Sequence, residues 1–526
     1  MYVKIMSASV LGVEGRFIEV EVNICSGLPQ VSVVGLPDSA VRESVERVRA
    51  AIQNAGMKFP MDRITINLAP ADLRKEGSAF DLAIAVGILC ASGQVDSSLL
   101  EDTLFIGELA LNGTVRNVPG VLPMTELARG AGIQRIIVPR SAVAEASLLP
   151  GIEVFGISSL AEWINGFIDD VPNEDALKSP IPGFSDKRLR ALMRSAKQDA
   201  DAIRENEIDL ADVIGQEKGK RALLIAASGM HNLMFIGPPG TGKTMLCRRL
   251  PTLMPSLDDN EALAVTKIFS VCGKLGSDQS GLIRKRPFRA PHHTISAAGL
   301  IGGGSVPKPG EVTLAHHGIL FLDEMPEFSR VCLEALRQPL EDREVTIGRA
   351  RGVCRYPARF MLAASMNPCP CGYYGGSVDD RPCTCTPTAI ARYRSRMSGP
   401  LADRIDLQVE LPRQAVRQPT ETGMTSGQAR ELVMEAANRQ KSRYAKHGIQ
   451  WNSQLQGPLL KKYTRLSSDA EMLLQQVYEQ LGLSFRAHDR ILKMSRTIAD
   501  LAGKESIRLE DVAEAISYRS LDQMME

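Results

Sequence analysis

The segment MFIGPPGTGKT (residues 234–244) contains Gly-x-x-x-x-Gly-Lys-Thr between the apolar run LMFI and the helix-like run MLCRRL. Strand, glycine-rich loop and helix in that order make a cradle for phosphate. Gly237, Gly240 and Gly242 let backbone N–H groups turn inward, and the following helix directs its positive end at the same point. Pro238, Pro239 and Thr241 complete the loop. Lys243 is placed to reach β- and γ-phosphates and the Thr244 hydroxyl to bind Mg²⁺, so ATP with Mg²⁺ is the expected ligand. Hydrolysis also needs a carboxylate on the metal and a group that activates water. GILFLDE (residues 318–324) supplies four apolar residues, suited to a buried parallel strand, and then Asp323 and Glu324. Asp323 would hold Mg²⁺ through its water shell and Glu324 would polarise the attacking water.

The next apolar run, RFMLAASMN (residues 359–367), ends in Asn367, and two residues later comes a cysteine quartet, Cys369, Cys371, Cys383 and Cys385. Each Cys-x-Cys pair can turn both sulfurs to one side, and four thiolates suit tetrahedral Zn²⁺. The usual structural spacing is Cys-x-x-Cys, so free or redox-active thiols and an iron–sulfur cluster remain alternatives to structural zinc. On the zinc reading, the metal pins a loop without an apolar core of its own. The other six cysteines are scattered singly, as small buried hydrophobes are.

Positioning these groups takes several elements. Residues 1–170 alternate strand and helix patterns, such as FIEVEVNI, RITINL and AFDLAIAVGILCASG, and read as an α/β domain. Residues 171–207 lack sustained alternation and read as a linker. A second α/β unit covers 208–412 with the cysteine loop at 369–385, and residues 425–526 show helical spacing that suits a lid. A chain of 526 residues with 44% hydrophobic and 23% charged residues is a multidomain globular protein. Its net charge of +1 announces no polyanionic partner globally, so nucleic acid would have to bind local patches. No window reaches the roughly 18 uninterrupted apolar residues of a membrane span, and a cytoplasmic location with no membrane partner is expected.

GPPGTGKT, FRAPHHTISAAGLIGGG, HHGILFLDEMPEF, LRQPLED, NPCPCGYYG and the N-terminal PADLRKEGSAFDLAIA together resemble the YifB/ComM family of magnesium-chelatase-like AAA+ ATPases across nearly the whole chain. The resemblance implies an α/β fold with a Lon-protease-like α+β domain, an AAA+ αβα core with inserted hairpins, and a C-terminal helical lid, assembled as a homo-hexamer. It also implies DNA helicase activity: ComM members drive branch migration when single-stranded DNA recombines into a duplex during natural transformation. In AAA+ ATPases a polar residue ends the strand beside the acidic one and orients water, and Asn367 holds that position. SGPLADRIDL (residues 398–407) is similar to the family's arginine-finger segment, which assigns Arg404 to a neighbouring subunit's γ-phosphate. Arg486 matches the second sensor, with Arg490 as the substitute.

Against the Lon pattern, Ala79 stands where the nucleophile belongs, with Ser78 adjacent, and Leu122 stands where the lysine belongs. Leucine cannot take a proton, so the domain is expected to be catalytically inactive and to serve in ring assembly or DNA contact. IRKRPFRAPHH (residues 283–293) and GRARGVCRYPAR (residues 348–359) each hold four Lys/Arg and no acid. Arg349 and Arg351 are the candidates for sequence-tolerant contact with single-stranded or branched DNA phosphates, the alternative being solvated charged faces. The adjacent pairs His292–His293 and His316–His317 suit structural or interface roles, since neighbours on a strand point apart. Recombination proteins are expected further partners. The competing functions are a magnesium-chelatase-type ATPase subunit and a nucleotide-gated scaffold or chaperone that does not unwind DNA.

Overall fold

The computed structural model describes residues 1–72, 74–168, 208–275, 281–304, 307–349, 352–375, 381–413, 423–480 and 484–519. The linker expected over 171–207 lies outside them. The chain divides into two compact units, residues 1–203 with 262–283, and residues 204–261 with 284–526.

The first unit is built on a seven-stranded mixed sheet. Its order is Gln30–Val34, Arg63–Ala69, Glu14–Cys25, Tyr2–Leu11, Thr103–Phe105, Arg135–Pro139 and Glu153–Ile157. The long antiparallel pair Tyr2–Leu11 and Glu14–Cys25 alternates as its sequence requires, with Ile18, Val20 and Val22 wholly buried. Neighbouring residues on one strand enter different cores: Ile137 packs with Ile5 and Val22, whereas Ile136 and Val138 pack with Val121 and Met124. The helix Asp81–Ala91 is buried at every position, in keeping with the apolar run that follows Asp81, and Asp81 itself is paired with Arg47 at 2.8 Å. Gly87 permits that contact, because a Cβ there would lie 2.7 Å from Val22 Cγ2.

Residues 262–283, which lie within the second α/β segment in chain order, pack in this first unit. Lys267 of the helix Asp259–Val271 pairs with Glu14 at 3.1 Å and Glu126 at 2.6 Å. Ser270 donates a hydrogen bond to Glu145, whose carboxylate also accepts the Leu122 N–H.

The second unit contains a five-stranded parallel sheet, ordered Phe288–Arg289, Ile319–Leu322, Met361–Met366, Leu233–Ile236 and Leu407–Glu410. The three middle strands are buried at every residue, which is why they read as apolar runs rather than alternating ones. Each is followed at its carboxyl end by one of the chemical motifs, the usual position for ligands in such sheets. Two hairpins are inserted. Gly302–Gly303 pairs with Lys308–Pro309, and Glu344–Arg349 pairs with Gly352–Pro357. In the second, Val345, Ile347, Cys354 and Tyr356 are buried, while Thr346, Val353 and Arg355 face outward.

Helices complete the chain. Ser426–Tyr444 begins with a capping box between Thr425 and Gln428. Phe485–Leu501 buries Asp500, which accepts hydrogen bonds from Arg443 and Asn452 and pairs with Arg496. The α/β class with a parallel core and a helical C-terminal region is as expected. Among the described residues no helix is long and apolar enough to cross a membrane.

Candidate functional site

The glycine-rich loop follows the strand Leu233–Ile236 and leads into the helix Lys243–Cys247. Gly240 and Gly242 have φ of +81° and +86°, a region that only glycine enters without strain. Gly237 is required for a different reason, since a Cβ there would sit 2.4 Å from the Leu411 carbonyl oxygen. Lys243 is 9% exposed and folds back over the loop, donating to the carbonyls of Gly237 at 2.6 Å and Pro238 at 2.8 Å. Its third bond goes to Asn367 Oδ1 at 3.2 Å. Burial lowers the ammonium's pKa, and Asp323 and Glu324 pull the other way.

Thr244 Oγ1 lies 3.2 and 3.0 Å from the two carboxylate oxygens of Asp323. These oxygens are hard donors that can serve one divalent cation together, so the residues present fit Mg²⁺. The acidic pair is held by a residue that motif reading passed over. Ser365 Oγ donates to Asp323 Oδ1 and accepts the Glu324 N–H at 3.0 Å. Glu324 itself has φ of +50°, a conformation that costs a non-glycine residue energy and turns the chain sharply at the strand end. Ser365 is the single hydroxyl in the wholly buried strand MLAASM, and an unexplained polar residue in a buried strand was the available signal. Gln216, also with positive φ, clips the loop by donating to the carbonyls of Thr241 at 3.3 Å and Pro412 at 2.9 Å.

Lys243 with Asn367, and Thr244 with Asp323, Ser365 and the Glu324 N–H, thus form two hydrogen-bonded clusters, and the charges of Asp323 and Glu324 act on Lys243. Arg404 and Arg486 do not join them. Both pair with Glu341, Arg404 also donating to the Pro400 carbonyl and Arg486 standing at 3.8 Å. They line a cavity of about 330 Å³ that contains no residue of the glycine-rich loop. Arg490 is engaged elsewhere, on Asp406. Burial pushes the Asp406 carboxyl up, but Arg490 and His231 outweigh it and hold it well below the carboxylate range.

The cysteine quartet is assembled. Cys369 Sγ is 3.3 Å from Cys371 Sγ and 3.7 Å from Cys383 Sγ, Cys371 and Cys383 are 3.5 Å apart, and all four sulfurs lie within 4.8 Å of one another. A tetrahedral zinc with bonds of about 2.3 Å sets its sulfurs roughly 3.8 Å apart, so this set fits Zn²⁺. Backbone N–H groups, chiefly that of Tyr373, bring the Cys371 thiol down to about 6. The knot leans on the phosphate loop: a Cβ on Gly372 would lie 2.6 Å from Pro239 Cδ.

The two basic stretches differ. In residues 283–293, Arg284 pairs with Asp259, Arg286 with Glu261, and Arg289 with Glu311. Those arginines serve the structure. In the other stretch, Arg349 ends the strand Glu344–Arg349, while Arg351 lies outside the described residues. His316 is buried and accepts the Arg359 N–H, and His317 pairs with Glu261, both structural uses. In the first unit Ala79 is partly buried and Leu122 wholly so, and Ser78 donates to Glu108.

Residues 209–419 match the family described as magnesium chelatase, subunit ChlI, with further ChlI matches over 20–142 and, for its C-terminal part, 423–519. The competence protein ComM of Haemophilus influenzae is 41% identical over 528 residues, covering 99% of this chain and 98% of that protein. The chain belongs to the YifB/ComM family of magnesium-chelatase-like proteins. The YifB protein of Escherichia coli is 42% identical over 518 residues, 98% of this chain and 96% of its own. A shorter likeness, 25% over 178 residues, links 30% of this YifB/ComM-type chain to 32% of Lon protease 2 of Bacillus subtilis. Membership of this family implies nucleotide and Mg²⁺ as ligands.

Proposed function

We propose that the protein is an ATP-driven DNA helicase and translocase that works as a homo-hexamer and promotes branch migration in homologous recombination, the role that a competence-protein relative suggests for natural transformation. The observation that supports the ATPase part is the pairing, at the carboxyl ends of buried parallel strands, of Lys243 with Asn367 and of Thr244 with Asp323. In this reading Lys243 leaves the Gly237 and Pro238 carbonyls for the β- and γ-phosphate oxygens. Mg²⁺, when bound by Thr244 and Asp323, neutralises charge on those oxygens. Glu324 takes a proton from the water that attacks phosphorus, Asn367 orients that water, and the bond from phosphorus to the bridging oxygen breaks. Arg404 and Arg486 meet the triphosphate of an adjacent subunit, which is consistent with their standing apart from their own chain's loop. The hairpin Glu344–Pro357, whose Thr346, Val353 and Arg355 face outward, is the proposed contact for single-stranded or branched DNA, with Arg349 and Arg351 of the same basic stretch as its candidate residues, and recombination proteins are proposed as partners in the cytoplasm.

The Cys369–Cys385 knot holds structural zinc beside the phosphate loop. The first domain has no peptidase chemistry: Ala79 and Leu122 replace the dyad, and Ser78 is bonded to a carboxylate rather than to a lysine. The magnesium-chelatase and scaffold readings gain no support from a specific contact. The test is ATP turnover with and without single-stranded DNA. Wild type should be stimulated by DNA, Lys243→Ala should lose nucleotide binding, and Glu324→Gln should bind ATP without cleaving it. Turnover unaltered by DNA, with no ATP-dependent DNA binding, would remove the motor while leaving the ATPase.

A further inference from the structure

The cavity that holds Arg404 and Arg486 has more positive charge than those two residues explain. Six Lys or Arg side chains line it against three carboxylates. Two of the carboxylates are already committed, Glu341 to Arg404 and Arg486, and Asp406 to Arg490. That leaves Arg343, Arg359 and Lys493. Among the described residues none of these has a carboxylate within the 4.0 Å of an ion pair. Lys493 is half-buried and makes only a 3.3 Å bond to the Ser453 carbonyl, with Asp406 and Asp489 attracting it from farther away.

The three cations also repel one another. Burial and the nearby Arg359 both lower the Arg343 guanidinium's pKa, and burial, Arg490 and Arg343 act against the Lys493 charge. Arg343 is held there with φ of +59° as the chain leaves the helix Arg337–Asp342, so its backbone is also in a costly conformation. A fold that gathers like charges in a recess, and strains the backbone to do it, has the electrostatics of an anion site. The anion must carry several charges in a row to satisfy cations on three segments: the end of the helix Arg337–Asp342 before the hairpin, the connection between Pro357 and Met361 that holds Arg359, and the helix Phe485–Leu501.

We propose that Arg343, Arg359 and Lys493 extend Arg404 and Arg486 into a cradle for the polyphosphate of a nucleotide bound by a second copy of this chain. The inference rests on the reading of Arg404 as a residue that acts on an adjacent subunit. It adds three positioning residues whose work is to hold the tail in line while water attacks. Glu341 then acts as the placeholder that keeps Arg404 and Arg486 extended into the cavity before the anion arrives.

The test mixes inactive full-length chains. Arg359→Gln and Lys493→Gln assemblies of normal size should each turn over ATP about 10²-fold more slowly than wild type. Each keeps an intact loop, and Lys243→Ala chains keep an intact cradle, so one-to-one mixtures should regain about a quarter of wild-type turnover by random assembly. Arg404→Ala with Lys243→Ala is the reference mixture. If that pair recovers while the Arg359 and Lys493 variants do not, the cradle is wrong and the shared site stands; if Arg404→Ala also fails to recover, both are wrong. Loss of DNA affinity with unchanged ATP turnover would equally overturn the cradle, because the cations would then face DNA phosphates. Should Lys493→Gln fail to assemble, Arg359→Gln carries the test, its side chain being exposed.

Discussion

At the scale of single residues, the chemistry depends on how the two acids are held as much as on their presence. Ser365 bonds both, through Asp323 Oδ1 and the Glu324 N–H. Ser365→Ala removes the two bonds without creating a sizeable void, so the variant should fold normally and lose about 10-fold in kcat with little change in KM for ATP. Steady-state kinetics decides this, and an equal rise in KM would mean that the serine serves nucleotide binding instead. A second residue-scale outcome concerns pH. Burial raises the Glu261 carboxyl, but His317 and Arg286 outweigh it and bring it from 4.5 to about 2. A depressed carboxyl stabilises the fold above its unfolded pKa and loses that contribution as pH falls through the folded one. Acid unfolding should therefore gain steepness between pH 4.5 and about 2. Glu261→Gln should flatten that window and cost about 3–5 kcal/mol at neutral pH, because Arg286 is left buried without its anion.

At the scale of elements, the parallel core was legible because each middle strand is a short apolar run that stops at a chemical residue. Gly237, Asp323 and Asn367 all come directly after strands that are buried throughout. What the sequence hid was partnership over distance. The arginines of residues 283–293 read as a basic patch, yet Asp259, Glu261 and Glu311 neutralise them from other elements. Gln216 was equally invisible, since a turn glutamine has no periodicity to betray that it clips two carbonyls of distant segments. The cysteine loop was legible as a quartet, but its contact with the phosphate loop was not. Gly372 meets the Pro239 ring, and Gly372→Ala forces the two apart, since a Cβ at 2.6 Å cannot be accommodated and φ of +88° disfavours alanine. The variant should keep about one equivalent of zinc and bind ATP about 10-fold more weakly. Cys371→Ser should lose both the metal and thermal stability. Metal analysis of the purified proteins beside ATP titrations separates the two effects, and wild type with well under one equivalent of zinc would end the structural-metal reading.

At the scale of the whole molecule, the division of labour follows from where the charged groups gather. One set, from Lys243 to Asn367, is the proposed site of triphosphate binding and cleavage; the other, around Glu341, lines a cavity that contains no residue of the phosphate loop. On the proposed function a single chain carries both halves of a hydrolysis site without joining them, and a ring of identical chains is the simplest closed arrangement that would. Such a ring needs its motion coupled to a track, and the hairpin Glu344–Pro357 with its outward Thr346, Val353 and Arg355 is the element proposed to meet it. The most direct measurement is strand displacement on a three-stranded DNA substrate, comparing wild type with Glu324→Gln at saturating ATP. Wild type should move the branch only while ATP is consumed, and Glu324→Gln should bind nucleotide and DNA yet leave the branch where it was. Branch movement by Glu324→Gln at the wild-type rate, or brisk ATP turnover by wild type on a branch that never moves, would contradict an ATP-driven DNA motor.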